Sequence, residues 1–466
     1  MKYIVYLIAF LEWFTTLSVE IISLRVFTPI IWSNSISTSI ILWVILLALS
    51  YWYYIWWKLS LKKDKIKKKL ITNLFIASIY YFFITFLLSK SILTLLLNES
   101  WNYFLSIFIT SLTIFFIPVF LASQTIPLLS ELLKWENSWE KMWKLLFYST
   151  IWSFFWSIAT STLFFPLLWV FKTSIISPIF LLLSAFLLTI SEKKYKKIQN
   201  IIVFLLIFLI TILITNNLNL NKNKIYSISN AYHNIDIYEY ANKRYFSIEW
   251  WYSSWINTET NKSLFNYINE VENKVKEIKA ENILVIWAAW FTFPNDISKL
   301  KYVQSIDVID IDSSLKEITQ KYFLQKQLSK KIVFYSNPTR YFLNNINKKY
   351  DLILVDAYTW KSPPSQLLTY DFFVKLKDIS NNIYINIIID SELKSDFSKN
   401  LFSTINKAFN QSSYKEVNNR NKWLTNIIIT NNIDVNYKIN FLRNQNIYFD
   451  NKNSIEIDIF KMFWVK

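Results

Sequence analysis

Aspartates follow two apolar runs in the C-terminal part of the chain. Residues 303–311 lead to Asp310 and Asp312, and residues 352–355 lead to Asp356. A carboxylate at the end of a strand can accept hydrogen bonds from ribose hydroxyls, take up a proton or orient an amine. We therefore expect Asp310, with Asp312 as the second candidate, to bind a ribose, and Asp356 to act in catalysis. The alternative is that Asp310 and Asp312 only cap the next helix.

The elements that must position these aspartates alternate between strands and helices. The pattern predicts strands at 283–286, 303–311, 332–335, 352–355 and 383–389, and helices at 259–279, 314–326, 339–347 and 370–379. This alternation predicts a parallel sheet with its ligand at the carboxyl ends of the strands. Shorter strands are predicted at 224–229, 235–240 and 244–249. The sequence thus predicts a Rossmann-like α/β domain over 259–466, preceded by a small β-domain over 217–258.

The loop Trp287-Ala-Ala-Trp290, after the first strand of this series, has unusual residue types. Such a loop needs glycine if its backbone is to approach a nucleotide. The chain has no glycine and 21 tryptophans, although a usage of about 7% would give roughly 33 glycines. Our hypothesis is that most of these tryptophans are glycines in the cell, through reading of the UGA codon as glycine. A truly tryptophan-rich chain and a deliberate replacement are the alternatives.

The N-terminal half is apolar over lengths that suit a membrane. Stretches of about 20 apolar residues can cross a bilayer as helices, and they occur at about 3–24, 36–57, 71–89, 102–123, 145–170 and 174–190, with a shorter one at 201–215. We expect an all-α polytopic membrane bundle of six to seven helices over 1–216, in the cell membrane. The lysine-rich runs 58–69 and 192–197 should face the cytoplasm. Whether 201–215 spans the bilayer decides the side of the C-terminal domain, and the sequence leaves this open.

Composition excludes several classes of site. Cysteine is absent and histidine occurs once, at His233, so neither a Cys or His metal site nor a histidine-based catalytic triad is expected. The formal charge of +17 comes largely from lysines beside apolar stretches. That placement favours a membrane surface over nucleic acid as the partner.

The soluble half resembles the polyamine aminopropyltransferase (spermidine synthase) family over about residues 225–430. The N-terminal half resembles the multi-pass region fused to some spermidine synthase-like proteins. With glycine in place of tryptophan, the segments of the soluble half look much more like the family. The matching segments are Ser247–Ser254, Ile283–Trp290, Val308–Asp312, Tyr350–Tyr358 and Leu367–Phe373 in the soluble half, and Trp13–Arg25 and Tyr148–Trp169 in the N-terminal half.

The resemblance implies a Rossmann-like domain of the S-adenosylmethionine methyltransferase type and gives each site residue a role. Trp287 and Trp290 would line the loop that binds decarboxylated S-adenosylmethionine, the co-substrate. Asp310 would bind its ribose, with Asp312 beside it. Asp356 would deprotonate or position the attacking amine, because only a neutral amine is nucleophilic.

The acceptor side departs from the family pattern. Thr359 stands where a second aspartate is usual, Glu249 replaces the aspartate of the β-domain motif, and Tyr267 matches the Tyr-His-Glu motif only loosely. The residues expected on the acceptor side or its gate are Glu249, Tyr252, Tyr358 and Thr359. These departures leave the identity of the amine open.

Three functions are compatible with these observations. The leading one is a membrane-bound, spermidine synthase-like aminopropyltransferase that uses decarboxylated S-adenosylmethionine, with no permanently bound cofactor. The second is an S-adenosylmethionine-dependent methyltransferase on the same fold. The third is a membrane transporter or sensor whose soluble domain binds a nucleotide or polyamine. Glu20 and Arg25, near one end of the first apolar stretch, and the departures on the acceptor side favour this third function. The expected partners are a nucleotide, an amine and the lipid bilayer, and soluble members of the family commonly form homo-oligomers.

The hypothesis about tryptophan is tested by the mass of one tryptic peptide. Cleavage after Lys279 and Lys299 releases a peptide that contains positions 287 and 290. In protein from the natural source, we expect mass spectrometry to find glycine at both positions. Tryptophan at both would contradict the hypothesis.

Overall fold

The computed structural model describes most of the chain and divides it into two compact units. The N-terminal unit comprises Met1–Lys222 and Ile228–His233, and the C-terminal unit comprises Asn223–Ser227 and Asn234–Lys466. The described residues are 2–31, 35–59, 66–82, 103–132, 138–190, 206, 223–230, 232–248, 251–287, 289–356, 363–419, 423–434, 436–439 and 445–464.

The described part of the N-terminal unit is helical up to residue 190. Pro118 stands at the beginning of its helix, and Pro178 lies inside one. The helices are α1 (Lys2–Ile31), α2 (Ser35–Leu59), α3 (Ile66–Tyr80), α4 (Tyr103–Ser111), α5 (Ile117–Ala122), α6 (Thr125–Leu132), α7 (Ser138–Ala159) and α8 (Phe165–Ile190), with π-helical turns at Leu112–Phe116 and Thr160–Phe164.

Helix α1 packs against α7 and α8. Its contacts are Tyr6 with Tyr148, Phe14 with Trp156 and with Phe180, and Ile22 with Phe165. Aromatic and aliphatic side chains therefore hold these three helices together.

Two described segments are long and apolar enough to cross a membrane. They are Leu105–Ser130 and Lys172–Ile190, and the shorter apolar helical segments are Tyr3–Glu12 and Ser37–Trp52. Residues 83–89 of the predicted third span, and all but Leu206 of the predicted stretch 201–215, lie outside the described residues. The six- to seven-helix membrane bundle therefore stays a prediction.

The C-terminal unit contains twelve described strands in two sheets. A small sheet has the order β1-β2-β3-β4, and an eight-stranded sheet has the order β12-β10-β11-β9-β8-β5-β6-β7. The strands are β1 (Lys224–Ser229), β2 (Asn234–Tyr240), β3 (Lys243–Ile248), β4 (Trp251–Asn257), β5 (Asn282–Ile286), β6 (Ser305–Asp310), β7 (Ile332–Ser336), β8 (Leu352–Val355), β9 (Ile383–Asp390), β10 (Ser413–Asn419), β11 (Leu424–Thr430) and β12 (Lys438–Ile439).

The large sheet is mixed, which corrects the prediction of a parallel sheet. Strands β5 to β9 are parallel to their neighbours, but β11 pairs antiparallel with β9, and β10 pairs antiparallel with β11 and β12. A parallel partner requires a crossover connection, whereas an antiparallel partner needs only a short turn. Polar residues interrupt β10 and β11, so these strands lack the continuous apolar pattern on which the prediction rested.

Helices separate most of the strands of the large sheet, as the Rossmann-like prediction requires. Strands β5, β8 and β9 are apolar and buried along most of their length, which is typical of a sheet covered on both faces. The helices are α9 (Asn266–Ile278), α10 (Thr292–Ile297), α11 (Leu315–Ile318), α12 (Thr339–Asn345), α13 (Tyr370–Ile379), α14 (Asp396–Phe409) and α15 (Ile455–Trp464).

Two predicted helices are shorter in the structure. The helix predicted at 259–279 begins only at Asn266, because Asn257 Oδ1 accepts hydrogen bonds from the backbone N–H groups of Glu259 and Thr260 and forms a turn there. The helix predicted at 314–326 is one α-helical turn followed by a π-helical turn, Thr319–Phe323. The later start of α9 matters for the site, since it places Tyr267 in the first turn.

Candidate active site

The order of the large sheet brings the three predicted strand ends together. Strand β5 lies between β6 and β8, so the loop at Trp287 lies between Asp310 and Asp356. Backbone hydrogen bonds continue past the strands: Trp287 N donates to Ile309 O at 2.9 Å, and Asp356 N donates to Ile286 O at 3.0 Å. Ligands of doubly wound sheets bind at this edge.

The carboxylate of Asp356 is held by two side chains from distant parts of the chain. Tyr267 donates its phenol O–H to Oδ2 at 2.8 Å, and Asn386 donates from Nδ2 to Oδ1 at 2.7 Å. Both donors are 8% exposed, so their positions are fixed by packing. Donors on both oxygens fix the plane of the carboxylate, which suits a group that orients an amine or receives a proton.

Sequence reasoning missed Asn386 and gave Tyr267 only a loose motif match. Asn386 lies in β9, in which the neighbouring residues are isoleucines. Strands β8 and β9 are parallel, with Val355 opposite Ile385, so the next residue of each strand, Asp356 and Asn386, are neighbours. Asn386 is the only amide in a strand that is otherwise largely apolar and buried. A buried amide requires a hydrogen-bond partner, so this position could have indicated the site.

The two aspartates after β6 differ in their surroundings. Asp312 is 1% exposed, and its Oδ1 accepts from Ser314 N at 2.9 Å and from Ser314 Oγ at 2.6 Å. It therefore organises the turn that leads into α11. Asp310 Oδ1 accepts from Asp312 N at 3.0 Å. Both carboxylates thus accept backbone hydrogen bonds in the turn after β6, and ribose binding by Asp310 stays a prediction.

The loop after β5 has left-handed backbone at the positions where glycine is expected. Trp287 has φ 64°, Trp290 has φ 52° and Phe291 has φ 56°. A side chain with a Cβ atom disfavours this region by about 1–2 kcal/mol per residue. The Trp290 ring stacks on Phe246 of β3, with centroids 4.4 Å apart. The indole of Trp290 thus packs against the small sheet.

An aromatic row connects the small sheet with Tyr267. Tyr252 of β4 is 52% exposed. Its ring centroid is 6.2 Å from Trp255, Trp255 is 5.9 Å from Phe265, and Phe265 is 5.7 Å from Tyr267. Tyr252 thus lies at the far end of a row that leads to Asp356. The other residues predicted for the acceptor side or gate, Glu249, Tyr358 and Thr359, lie outside the described residues.

Tyr384 of β9 lies near an ion pair that α9 makes. Lys274 of α9 donates to Asp434, and Tyr384 lies two residues before Asn386. Burial raises the pKa of Tyr384 to about 12, so its phenol stays neutral. Within the described ranges, no group of three or more His, Cys, Asp or Glu side chains could hold a metal ion.

Comparisons with known proteins identify the type of domain. The spermine/spermidine synthase domain model matches residues 279–442. A polyamine aminopropyltransferase of Vibrio vulnificus (strain CMCP6) is 26% identical over 148 residues, which are 30% of this chain and 49% of the relative. The chain thus spans about half the length of this curated relative.

Two solved structures are similar over the C-terminal part. A probable spermidine synthase from Corynebacterium glutamicum ATCC 13032 is 14% identical, with a TM-score of 0.38 over 44% of this chain and 78% of its own. A spermidine synthase in complex with the transition state analogue AdoDATO is 13% identical, with a TM-score of 0.38 over 50% of this chain and 84% of its own.

The backbone at position 287 predicts the effect of two substitutions. Trp287→Gly and Trp287→Ala both remove the indole, but only glycine accepts a positive φ without strain. We expect the glycine variant to be more stable than the alanine variant by about 1 kcal/mol in denaturant unfolding. At Trp255, whose φ is not positive, the same pair should show the reverse order, because glycine weakens a strand. Equal stabilities at position 287 would contradict the left-handed conformation.

Proposed function

We propose that the spermine/spermidine synthase domain at residues 279–442 transfers an aminopropyl group from decarboxylated S-adenosylmethionine to an amine. The observation that carries this proposal is the Asp356 carboxylate, held by Tyr267 and Asn386 at the carboxyl end of β8. This group lies one strand away from the loop proposed to bind the donor. The match of the domain supports the reaction type.

The chemistry requires a base beside the attacking nitrogen. A protonated amine that loses a proton to the Asp356 carboxylate becomes neutral and nucleophilic, and its lone pair attacks the propyl carbon bonded to the sulfonium sulfur. The carbon–sulfur bond breaks with its electron pair going to sulfur, so methylthioadenosine leaves as a neutral thioether. Tyr267 and Asn386 act as positioning residues, since they hold the carboxylate in one orientation.

The donor side of the proposal rests on Asp310 and on the loop at 287–291. Asp310 would accept hydrogen bonds from the ribose hydroxyls, and Asp312 would hold the adjoining turn. The fit of the nucleotide depends on the residue at position 290, because the indole there lies against Phe246. Glycine at 287 and 290 would give the donor direct access to the loop backbone.

Substitution of the proposed base tests the reaction. We expect Asp356→Asn to lower the rate of amine-dependent methylthioadenosine release by about 10²–10⁴-fold, because the amide cannot accept the proton. The measurement uses the full-length protein with glycine at 287 and 290, decarboxylated S-adenosylmethionine and a panel of amines. The exposed Asp378→Asn is the matched control and should keep its activity.

Two other outcomes would exclude the proposal. Unchanged release in Asp356→Asn would remove the base from the mechanism. Bound donor without release for any amine would favour methyl transfer or a nucleotide-sensing role instead.

We further propose that the N-terminal unit anchors this enzyme in the membrane. The support is the length and apolar character of Leu105–Ser130 and Lys172–Ile190. Exposed aromatic and aliphatic side chains also continue along α2 and α7: Trp43, Leu46, Tyr54, Phe147, Phe154 and Phe155 are each more than half exposed. Such a surface is costly in water and favourable in lipid.

The anchoring is tested by extraction of membranes at alkaline pH. We expect the full-length protein to stay in the membrane pellet after carbonate treatment and to be released only by detergent. Peripheral membrane proteins serve as the control, since they are released by carbonate. Recovery of this protein in the carbonate supernatant would contradict anchoring.

A further inference from the structure

Three polar side chains form a row that leads away from the donor loop. The row consists of Asp356 on β8, Asn386 on β9 and Asn426 on β11, which are consecutive strands of the sheet. Asn426 is opposite Ile388, and alternate residues of a strand share a face, so Asn386 and Asn426 lie on one face of the sheet. With strands about 4.8 Å apart and a rise of about 3.3 Å per residue, the two-residue offset along the strand puts Asn426 about 12 Å from Asp356.

The two amides of the row have unused acceptor capacity. Asn386 is 8% exposed and Asn426 is 4% exposed. The Oδ1 atoms of both are buried and accept no hydrogen bond from any described part of the chain. The orientation of the Asn386 amide is fixed, because its Nδ2 donates to Asp356. A buried amide oxygen without a donor is unfavourable, and a ligand that supplies donors would satisfy both of these oxygens.

The first turn of α9 covers this row. Tyr267 donates to Asp356 on β8, and the adjacent Asn266 donates from Nδ2 to Val417 O on β10 at 3.4 Å. Strands β9 and β11 lie between β8 and β10. The beginning of α9 therefore bridges the two strands that carry Asn386 and Asn426, and it encloses the amides between helix and sheet.

We propose that Asn386 and Asn426 form the subsite for the second polar group of the acceptor amine. This inference rests on the proposed function, because it takes the attacking nitrogen to be at Asp356. The acceptor is then an aliphatic amine with a second hydrogen-bond donor, an amino or hydroxyl group, within about 12 Å of the attacking nitrogen. The row provides neutral amide oxygens, so an uncharged donor group is accepted as well as a cationic one.

The test compares three acceptors that share a four-carbon chain and one amino group and differ only at the far end. These are 1,4-diaminobutane, 4-aminobutan-1-ol and 1-aminobutane. In the full-length protein with glycine at 287 and 290, we expect Asn426→Leu to raise KM about tenfold for the diamine and the amino alcohol, which lose a hydrogen bond. KM for 1-aminobutane and for the donor should not change. An equal effect on all three acceptors, or no effect, would overturn the proposal.

Two further variants separate a specific loss from misfolding. Asn426→Asp keeps the volume of the side chain and adds a charge, so it should lower KM for the diamine but not for the amino alcohol. Asn418→Leu, at the exposed position opposite Asn426 on β10, should match the unmodified protein. An Asn426→Asp variant that treats the two acceptors alike would also overturn the proposal.

Calorimetry distinguishes failure of the subsite from failure of the proposed reaction. If no acceptor is converted, the binding of 1,4-diaminobutane is measured directly. Binding that weakens in Asn426→Leu but not in Asn418→Leu supports the subsite while excluding the transferase. Transfer that is insensitive to position 426, or the absence of diamine binding, overturns the subsite.

Discussion

The Asp356 carboxylate, partly buried at the end of a β-strand, requires hydrogen-bond donors, and the chain supplies them from two elements far apart in sequence. Burial of a charged group without donors costs several kcal/mol, so the positions of Tyr267 and Asn386 are as important as the aspartate itself. Tyr267 is placed by α9, which packs on the sheet through Ile268 and Val271. Asn386 is placed by the parallel register of β8 and β9. A slip of one residue in that register would turn Asn386 to the opposite face.

The sequence predicts the elements that place Asp356 but not the residues that contact it. The strands at 283–286, 332–335 and 352–355 and the helix at 370–379 are confirmed closely, because short apolar runs bounded by polar residues have few alternatives. The antiparallel strands β10 and β11 were not predicted, because polar residues interrupt their apolar pattern. The contacts of Tyr267 and Asn386 with Asp356, 89 and 30 residues distant, depend on strand order, which no local pattern contains.

The row of amides depends on the antiparallel strand β11, which the sequence did not predict. Asn426 contributes to the face beside Asp356 because β11 pairs antiparallel with β9 at the edge of the parallel strands. Motif comparison found an acceptor side in which a second acid is replaced by Thr359. The antiparallel extension supplies polar groups from a different part of the chain. Loss of a motif in one loop therefore does not imply loss of the acceptor site.

The backbone conformation of the donor loop supports glycine at positions 287 and 290 independently of composition. Ten non-glycine residues in the described part of the chain have positive φ, and three of them are asparagines, which tolerate this region best after glycine. Trp287 and Trp290 have no such tolerance, and with Phe291 they place three left-handed residues within five positions. Strain of this kind persists only where the surroundings impose it. Here the preceding strand and α10 fix both ends of the loop, so the path follows from the fold, and glycine is the residue that satisfies it at least cost.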